Sequence, residues 1–291
     1  MTNVPQTASP AAFQKHYDVG REFYALWLDP TMSYPCATWH QVDRDDALEA
    51  AQLRKLDDHT REAGATGAAR VLDIGCGWGA LLVRLLRTHR VANATGLTLS
   101  RDQADFVKGL ALAGADVRYE SWVDHAPAVP YDAIVSIGAF EHFARPGISA
   151  AERHAIYRSF FERCRKWLVP GGGMSLQTIA YGNLARGDVL PFMHDVFPES
   201  DLPRLSEIVL AAEGLFEIVR VRNDRADYSR TCYVWRQRLN ARRDEAVALV
   251  GEETVALYDR YLVQSRFGFV SGATELLRVT LKRIDEPRTA R

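Results

Sequence analysis

Apolar and polar positions alternate in regular blocks through the middle of the chain. Five short apolar runs predict strands, and three stretches with apolar residues at three- and four-residue spacing predict helices. The strands fit 70–74, 92–97, 117–122, 132–137 and 173–180, and the helices fit 80–89, 101–113 and 151–167. This order predicts an α/β fold, a doubly wound sheet of parallel strands with helices on both faces. Ligands of such sheets bind beyond the carboxyl ends of the strands.

The two ends of the chain depart from this alternation. Residues 13–60 have a helical pattern, interrupted at Asp29-Pro30 and around Pro35. Residues 181–203 contain Gly, Pro and Asn without a clear period, which indicates a lid or loop. The remainder predicts a helix near 203–213, a strand near 215–222, helices over 233–250 and 252–266, and a last strand over 275–282. A hairpin of the last two strands would give the sheet an antiparallel edge.

The chain of 291 residues is predicted to form a single domain. Residues 1–12 are expected to be a flexible lead, because they lack the basic start and apolar core of a signal peptide. The domain then runs over 13–291. We divide it into a helical cap (13–60), a ligand-binding core (61–180), a lid region (181–213) and a C-terminal part that closes the sheet (214–291).

Composition and charge exclude several classes of function. The net charge is −1, so no overall field favours nucleic acid or an anionic membrane, and no apolar run of about 18 residues is present to span a bilayer. Four scattered cysteines form no C-x-x-C pair, which argues against a metal knuckle or a disulfide framework. We therefore expect a cytoplasmic protein without bound metal, whose oligomeric state, a homodimer included, stays open.

A glycine-rich turn follows the first strand of the core. The segment VLDIGCGWG ends the strand and contains Gly75, Gly77 and Gly79, which let the backbone pass close to a ligand. Asp73, at the strand end, is placed to accept hydrogen bonds in the turn or from the ligand. The helix that follows offers free N–H donors at its N-terminus. The pattern predicts a nucleotide-type cofactor site.

The spacing of these glycines favours one cofactor over others. A dinucleotide site has G-x-G-x-x-G and an acid about 20 residues later, whereas this turn has G-x-G-x-G and the next strand ends TGLTLS without an acid. The Gly-Lys-Ser/Thr of a phosphate-binding loop is absent. The pattern fits S-adenosylmethionine (SAM), whose carboxylate and ammonium can lie against the turn. A tight turn without a ligand is the alternative.

Three further segments carry candidate chemistry. Glu141 and His142 follow the fourth strand, where a carboxylate could attract a sulfonium, orient a small anion or act as a base. A helix-capping acid and a surface histidine are the alternative. Cys36 is followed by aromatic and small residues, and Tyr228 lies in a segment after the late strand. Cys36 is equally compatible with packing in a wall. A tyrosine at the position of Tyr228 could hydrogen-bond a ligand, but such a residue more often packs with its hydroxyl satisfied.

Several segments together resemble the cyclopropane fatty acid and mycolic acid synthases, SAM-dependent enzymes on a Rossmann-like class I methyltransferase fold with a seven-stranded sheet. The likeness covers nearly the whole chain, from about His16 to Lys282. The segments that carry it, in order, are HYDVGREFYALWLDPTMSYPCATW, VLDIGCGWGALLVRLL, TGLTLSRDQ, IVSIGAFEHF, FPESDLPRLSEI and DYSRTCYVWRQRL.

The resemblance implies roles for individual residues. Tyr17 and Tyr34 match tyrosines that line the SAM pocket, and Gly75 matches the glycine at the methionine moiety. Thr98, Leu99 and Gln103 fall where the family holds the adenosine, and Trp122 falls where it flanks the adenine. In the family a bound bicarbonate acts as the base. The positions that hold it match Cys36, Ile137, Glu141, Tyr228 and a strand-five histidine, which this chain replaces with Gln177.

The resemblance also implies the chemistry. An alkene attacks the SAM methyl group and leaves a carbocation, which an aromatic wall tolerates, and a base removes a proton to close a ring or leave a branch. Two features differ from the lipid-acting members: Gln177 cannot carry a proton, and the stretch between Ile179 and Phe197 is shorter. The acceptor is therefore an unsaturated acyl chain or a smaller unsaturated metabolite. N-methylation of a small amine and non-catalytic SAM binding are the alternatives.

Overall fold

One seven-stranded sheet runs through the part of the chain that the computed structural model describes, which is residues 19–40, 47–186 and 200–286. The strand order is β3-β2-β1-β4-β5-β7-β6. The strands are β1 (Arg70–Ile74), β2 (Asn93–Thr98), β3 (Ala115–Tyr119), β4 (Tyr131–Ile137), β5 (Leu168–Tyr181), β6 (Phe216–Asn223) and β7 (Thr274–Arg283).

Helices cover both faces of this sheet. They are α1 (Arg21–Ala25), α2 (Leu48–Glu62), α3 (Ala80–Arg87), α4 (Arg101–Gly109), α5 (Ala150–Trp167), α6 (Leu205–Ala212), α7 (Arg225–Ala241), α8 (Arg243–Val250) and α9 (Glu252–Ser271), with a short 3₁₀ turn over Phe140–His142. The fold is the class I methyltransferase arrangement that the sequence predicted.

The pairing of the strands explains where a ligand can bind. Strands β1 to β5 pair parallel with one another, and β7 is antiparallel to both β5 and β6. The last two strands therefore pair antiparallel as expected, with β7 inserted between β5 and the edge strand β6. The order reverses between β1 and β4, and such a switch point opens a crevice at the carboxyl ends of the strands.

Burial on both faces accounts for the apolar strands. In β1, Leu72 and Ile74 pack into the cluster under α5 and α6, whereas Val71 packs on the opposite face against α2, α3 and α4. A strand that is covered on both sides has a continuous run of apolar residues. For this reason the sequence predicted both ends of β1 at the correct residue.

A third cluster joins the two ends of the chain. Aromatic residues of the N-terminal segment, among them Phe23, Tyr24 and Trp27, pack with Trp235 of α7 and Tyr258 of α9. The hydroxyls of Tyr24 and Tyr258 are 2.8 Å apart. The predicted N-terminal cap is therefore built from both ends of the chain.

The interruptions expected at Asp29-Pro30 and around Pro35 are part of a longer non-helical stretch, so the helical prediction is wrong for the rest of residues 26–40. Residues 26–40 form an irregular segment, in which Asp29 accepts hydrogen bonds from the backbone N–H groups of Thr31 and Ser33 at 2.9 and 3.0 Å. Pro30 and Pro35 lack an N–H donor and disfavour the helical conformation of the preceding residue. Tyr34 and Cys36 consequently lie on this segment rather than on a helix.

Three other boundaries differ from the prediction. Helix α4 ends at Gly109 instead of residue 113, and β3 ends at Tyr119, so that Trp122 lies beyond the strand. The stretch 169–173 belongs to β5 as an irregularity in its pairing with β4, where Gly171 has φ 68°. Glycine supplies this positive φ at low cost, and both a turn and a bulge use it.

The predicted helix over 233–250 is divided at Arg242 into α7 and α8, and α7 starts earlier than expected. It begins at Arg225, so the segment after β6 is helical and places Tyr228 in the first helical turn. The sequence predicted a helix only from residue 233. Much of α7 is half-buried between α9 and the N-terminal segment, so it lacks a single clean apolar stripe.

Candidate active site

A cavity of about 590 Å³ opens beyond the carboxyl ends of the central strands. This volume is within the range of about 300–1,000 Å³ that is typical of small-molecule sites. Its lining includes most of the residues predicted from the sequence: Tyr34, Asp73, Gly75, Gly77, Thr98, Leu99, Gln103, Trp122, Ile137, Glu141, His142, Gln177 and Tyr228. Tyr17 lies outside the described residues.

The glycine turn forms one end of this cavity, called here the turn end and defined by Asp73, Gly75 and Gly77. All three glycines of the motif have positive φ angles, 87° at Gly75, 52° at Gly77 and 81° at Gly79. The backbone N–H of Gly75 donates to the Leu97 carbonyl at 3.0 Å, which ties the turn to β2. Burial raises the pKa of Asp73 to about 7. A cationic ligand group beside Asp73 would restore its charged form.

Gly75 is also required by packing inside the protein. A Cβ atom at this position would lie 2.6 Å from the Cβ of Ala139, whereas a Cβ at Gly77 meets nothing within 4 Å. The glycine motif therefore serves the contact between the β1 and β4 strand ends as well as the cavity. From the sequence, these glycines were expected to serve the approach of a ligand, with a tight turn without a ligand as the alternative.

The ends of β2 and β3 border a part of the cavity that combines polar and flat aromatic groups. The Thr98 hydroxyl donates to Gln103 Oε1 at 2.7 Å and accepts from the Ser100 backbone at 3.1 Å. Ser100 caps α4 by accepting from the Gln103 N–H. The Trp122 indole N–H has no hydrogen-bond partner among the described residues. A ring with acceptor nitrogens would suit this part of the cavity.

Glu141 lies on the 3₁₀ turn after β4 and is 6% exposed. Its Oε1 accepts from the Ile179 backbone N–H at 2.6 Å, which joins the turn to β5. Its Oε2 has no hydrogen-bond partner within the described ranges, because the nearby Thr178 hydroxyl donates to the Ile179 carbonyl instead. Burial raises the pKa of this carboxyl to about 7. The side chain can therefore accept or hold a proton near neutral pH.

Gln177 on β5 is fixed by a buried polar network behind the cavity wall. Arg278 Nε donates to Gln177 Oε1 at 2.8 Å, and His59 Nε2 lies 3.1 Å from the same oxygen. The second ring nitrogen of His59 lies 2.7 Å from the Ser175 hydroxyl. Because Arg278 can only donate, the amide oxygen of Gln177 points to the network. Its NH₂ group is then the donor that remains for a ligand.

The side of the cavity near Glu141 is aromatic. Tyr228 stacks on Phe269 with ring centroids 4.4 Å apart, and Tyr34 stacks on Trp235 at 5.4 Å. Tyr261 and Ile137 complete this wall. Burial raises the pKa of Tyr228 well above its usual value, so its hydroxyl stays protonated. Faces of aromatic rings favour a nearby positive charge.

Cys36 is the predicted catalytic residue that the structure does not bring into the cavity lining. Its thiol donates to the Ala37 carbonyl at 3.1 Å and lies 3.8 Å from the Thr231 hydroxyl. Burial raises the pKa of the thiol to about 12, so it stays neutral. The neighbouring Tyr34 and Pro35 line the cavity instead.

His142 lines the cavity beside Glu141. Its Nδ1 lies 2.6 Å from the Ser200 hydroxyl, and burial lowers its pKa to about 4. The imidazole is therefore neutral at physiological pH.

Three buried residues at or behind the cavity were not found from the sequence: Lys55, His59 and Arg278. The sequence of α2 contained a pattern from which Lys55 and His59 could have been found. Gln52, Lys55 and His59 recur at three- and four-residue spacing on the stripe of α2 that also carries Leu48 and Leu56, so polar side chains occupy its buried face. Arg278 lies between Leu277 and Val279 in a strand that reads as apolar, and only strand pairing brings it to Gln177.

Comparison with known proteins decides the family. The sequence model of the family described as mycolic acid cyclopropane synthetase matches residues 5–279. The chain belongs to this family. Cyclopropane mycolic acid synthase 1 of Mycobacterium tuberculosis is 32% identical over 289 residues, 92% of this chain and 93% of that protein. Cyclopropane mycolic acid synthase 2 of Mycobacterium bovis is 34% identical over 294 residues, 93% of each chain.

A solved structure agrees with the family relation. The crystal structure of a mycolic acid cyclopropane synthase in complex with S-adenosylhomocysteine (SAH) and CTAB superposes on this chain with a TM-score of 0.84. The two chains are 31% identical, and the match covers 96% of this chain and 99% of that one. The protein is thus a SAM-dependent methyltransferase of the cyclopropane synthetase family. Within the described ranges, no helix is long and apolar enough to cross a bilayer, and no group of three His, Cys, Asp or Glu is arranged to hold a metal ion.

Proposed function

We propose that the enzyme transfers the methyl group of SAM to an alkene carbon, and that bicarbonate is the base that completes the reaction. The observation that carries this proposal is the part of the cavity where Glu141 Oε2, the Gln177 amide and the Tyr228 hydroxyl meet an aromatic wall. The acceptor would be an unsaturated acyl chain or a smaller unsaturated metabolite.

The polar groups there fit a small oxyanion with one hydroxyl. The Gln177 NH₂ group and the Tyr228 hydroxyl can donate to its oxygens, and Glu141 Oε2 can accept from its hydroxyl. Arg278, buried behind Gln177, offsets its negative charge. Bicarbonate held by these groups would act as the base, because the amide side chain of Gln177 cannot accept the proton.

The protein's own residues would act on charge rather than form covalent bonds. Methyl transfer from a sulfonium to an alkene leaves a carbocation on the acceptor. The rings of Tyr34, Tyr228 and Phe269 offer their faces to that cation, and an ionised Glu141 favours it electrostatically. A largely apolar cavity excludes the water that would capture the cation. Proton removal would then give a ring or a methyl branch.

At the cofactor end, we propose that Gly75 and Asp73 lie against the methionyl part of SAM. Thr98, Leu99 and Gln103 would hold the adenosine, and Trp122 would flank the adenine. All of these residues line one cavity, the first two at the end of β1 and the others at or beyond the ends of β2 and β3, which supports this arrangement. The role of Cys36 would be limited to its backbone and to packing, because its thiol faces Thr231.

N-methylation of a small amine is a second candidate, favoured by one observation. Glu141 Oε2, without a partner among the described groups, could equally accept a hydrogen bond from an amine N–H. Its raised pKa would also suit a base that removes a proton from nitrogen. Amine acceptors need no aromatic wall around a carbocation and no bicarbonate.

One assay separates these two functions. The enzyme is incubated with methyl-labelled SAM and a panel of unsaturated lipids, prenyl compounds and amines, and the products are read by mass spectrometry. We expect label on carbon, as a methylene in a ring or a methyl branch. Label on nitrogen alone would replace the proposal with amine methylation. Label on no member of a broad panel would contradict both.

A further inference from the structure

Lys55 is a lysine buried almost completely at the turn end of the cavity. It lies on α2, is 1% exposed, and lines the cavity together with Asp73 and Gly75. Lysine is almost never fully buried in proteins unless its charge is paired, because taking an ammonium group out of water is costly. The position of this amine therefore calls for a specific partner.

The described residues do not supply that partner. No carboxylate among them lies within ion-pair distance of Lys55, and no hydrogen bond joins its amine to them. Asp29 is the acid that acts most strongly on it, yet its two oxygens are used locally. They accept from the Thr31 N–H and hydroxyl at 2.9 and 2.5 Å, and from the Ser33 N–H at 3.0 Å.

Asp73 is the complementary group at the same end. It is 3% exposed, no hydrogen bond joins its carboxylate to a described side chain, and Lys55 is the group that opposes the effect of burial on its pKa. One buried base and one buried acid thus line the turn end together. An α-amino acid carries the matching pair, a carboxylate and an ammonium group.

We propose that the amine of Lys55 binds the α-carboxylate of the methionyl end of SAM, and that Lys55 is thereby a positioning residue that selects the intact amino acid end over adenosine fragments. Thr98, Gln103 and Trp122, at or beyond the ends of β2 and β3, remain available for the adenosine. A charge-assisted contact here would fix the direction of the sulfonium methyl group toward Glu141. The inference rests on SAM use and is independent of the methyl acceptor.

The ionisation of Lys55 gives this contact a distinct signature. Burial lowers its pKa to about 8, and a bound carboxylate would raise the pKa again. The charged and titratable groups that face it from all sides are Asp29, Cys36, His59, Asp73 and Arg278. Above pH 8 the free protein has partly lost this proton, so carboxylate binding should take it up and affinity should fall as the pH rises.

Two ligands that differ at the amino acid end test the proposal by calorimetry in carbonate-free buffer. SAH has the carboxylate, and 5′-methylthioadenosine has the thioether and adenosine without it. Lys55→Met should weaken SAH binding by about 10- to 100-fold, the range of a lost hydrogen bond to a charged group. It should change methylthioadenosine affinity by less than about twofold, which also shows that the variant folds. Lys108→Met, at an exposed lysine of α4, is the matched control.

Proton uptake provides the second readout. SAH binding is measured at pH 8.5 in buffers of different ionisation enthalpy, and wild type should take up more protons than Lys55→Met. Equal weakening of both ligands would make Lys55 a structural residue. Unchanged SAH affinity, or equal proton uptake in both proteins, would mean that the carboxylate is held elsewhere. Neither result would bear on whether the acceptor is an alkene or an amine.

Discussion

Glu141 shows how one residue can serve structure and chemistry through its two oxygens. Oε1 binds the Ile179 backbone and fixes the 3₁₀ turn against β5, whereas Oε2 is buried without a partner among the described groups. A buried polar atom of this kind is costly in a folded protein and is typical of functional sites. We therefore place the reaction beside Oε2.

Replacing Glu141 by Gln should impair turnover much more than cofactor binding. The amide keeps the shape and the contact to Ile179 but removes the negative charge that favours a cationic transition state. Loss of one preorganised electrostatic contact typically lowers kcat by about 10²–10³. SAH affinity should stay within about twofold by calorimetry. Glu162→Gln on the exposed face of α5 serves as the control, and an unimpaired kcat in Glu141→Gln would reduce the residue to a structural link.

The same variant should be more stable than wild type at alkaline pH. Burial raises the pKa of Glu141 from 4.5 to about 7, so the folded protein keeps a proton that the unfolded chain has already released. Ionisation of Glu141 thus lowers stability as the pH rises from about 4.5 through 7. Glu141→Gln should gain up to about 3 kcal/mol in free energy of unfolding at pH 8.

Urea unfolding of both proteins at pH 8 and pH 5.5 measures this difference. The stabilising effect should shrink at the lower pH, where the wild-type carboxyl is protonated in the folded state. A gain of the same size at both pH values would show that packing or hydrogen bonding, and not the charge of Glu141, is responsible.

Local sequence explains why some elements could be predicted and others could not. Strand β1 and the turn after it were placed correctly because a doubly buried strand reads as an apolar run and Gly75 must adopt φ 87°. The start of α7 and the position of Tyr228 were missed because the helix is held by distant partners such as Phe269. The network of His59, Gln177 and Arg278 joins α2, β5 and β7, so no pattern within one stretch of sequence could predict it.

The glycine turn permits a comparison within one element. A Cβ at Gly75 would lie 2.6 Å from Ala139, whereas one at Gly77 has open space around it. Both positions have positive φ, which by itself costs a side chain about 1–2 kcal/mol. Gly75→Ala should therefore lower the melting temperature more than Gly77→Ala does. Gly77→Ala, if the turn lies against the cofactor, should weaken SAH binding while the fold persists.

Thermal unfolding and SAH calorimetry on the two variants settle this comparison. Equal melting temperatures would show that Ala139 yields to a Cβ at Gly75 and that packing does not require this glycine. Unchanged SAH affinity in Gly77→Ala would move the cofactor away from the turn.

At the scale of the whole molecule, the N-terminal segment from Phe23 and helices α7 to α9 form one aromatic cluster, and residues of this cluster and of the sheet together line the cavity. Part of the predicted lid, 187–199, lies outside the described residues. The resemblance to the lipid-acting enzymes implies that the sequence between Ile179 and Phe197 is shorter than theirs. A shorter cover would leave more of a long chain in water, at about 0.8 kcal/mol for each methylene.

We therefore expect a preference for compact unsaturated or prenyl-like acceptors over membrane phospholipid. Competition between phospholipid vesicles and a panel of small alkenes, read by mass spectrometry of the methylated products, measures the preference. Methylation of the vesicle lipid with no small alkene modified would overturn this expectation and indicate a long acyl substrate.

The most direct measurement of the proposed mechanism compares turnover of the accepted alkene in carbonate-depleted buffer with turnover after bicarbonate is added back. Binding of SAH is measured in parallel under both conditions. If bicarbonate held near Glu141, Gln177 and Tyr228 is the base, carbon methylation should fall on depletion and recover on addition, while SAH affinity stays constant. Full carbon methylation in depleted buffer would contradict this account.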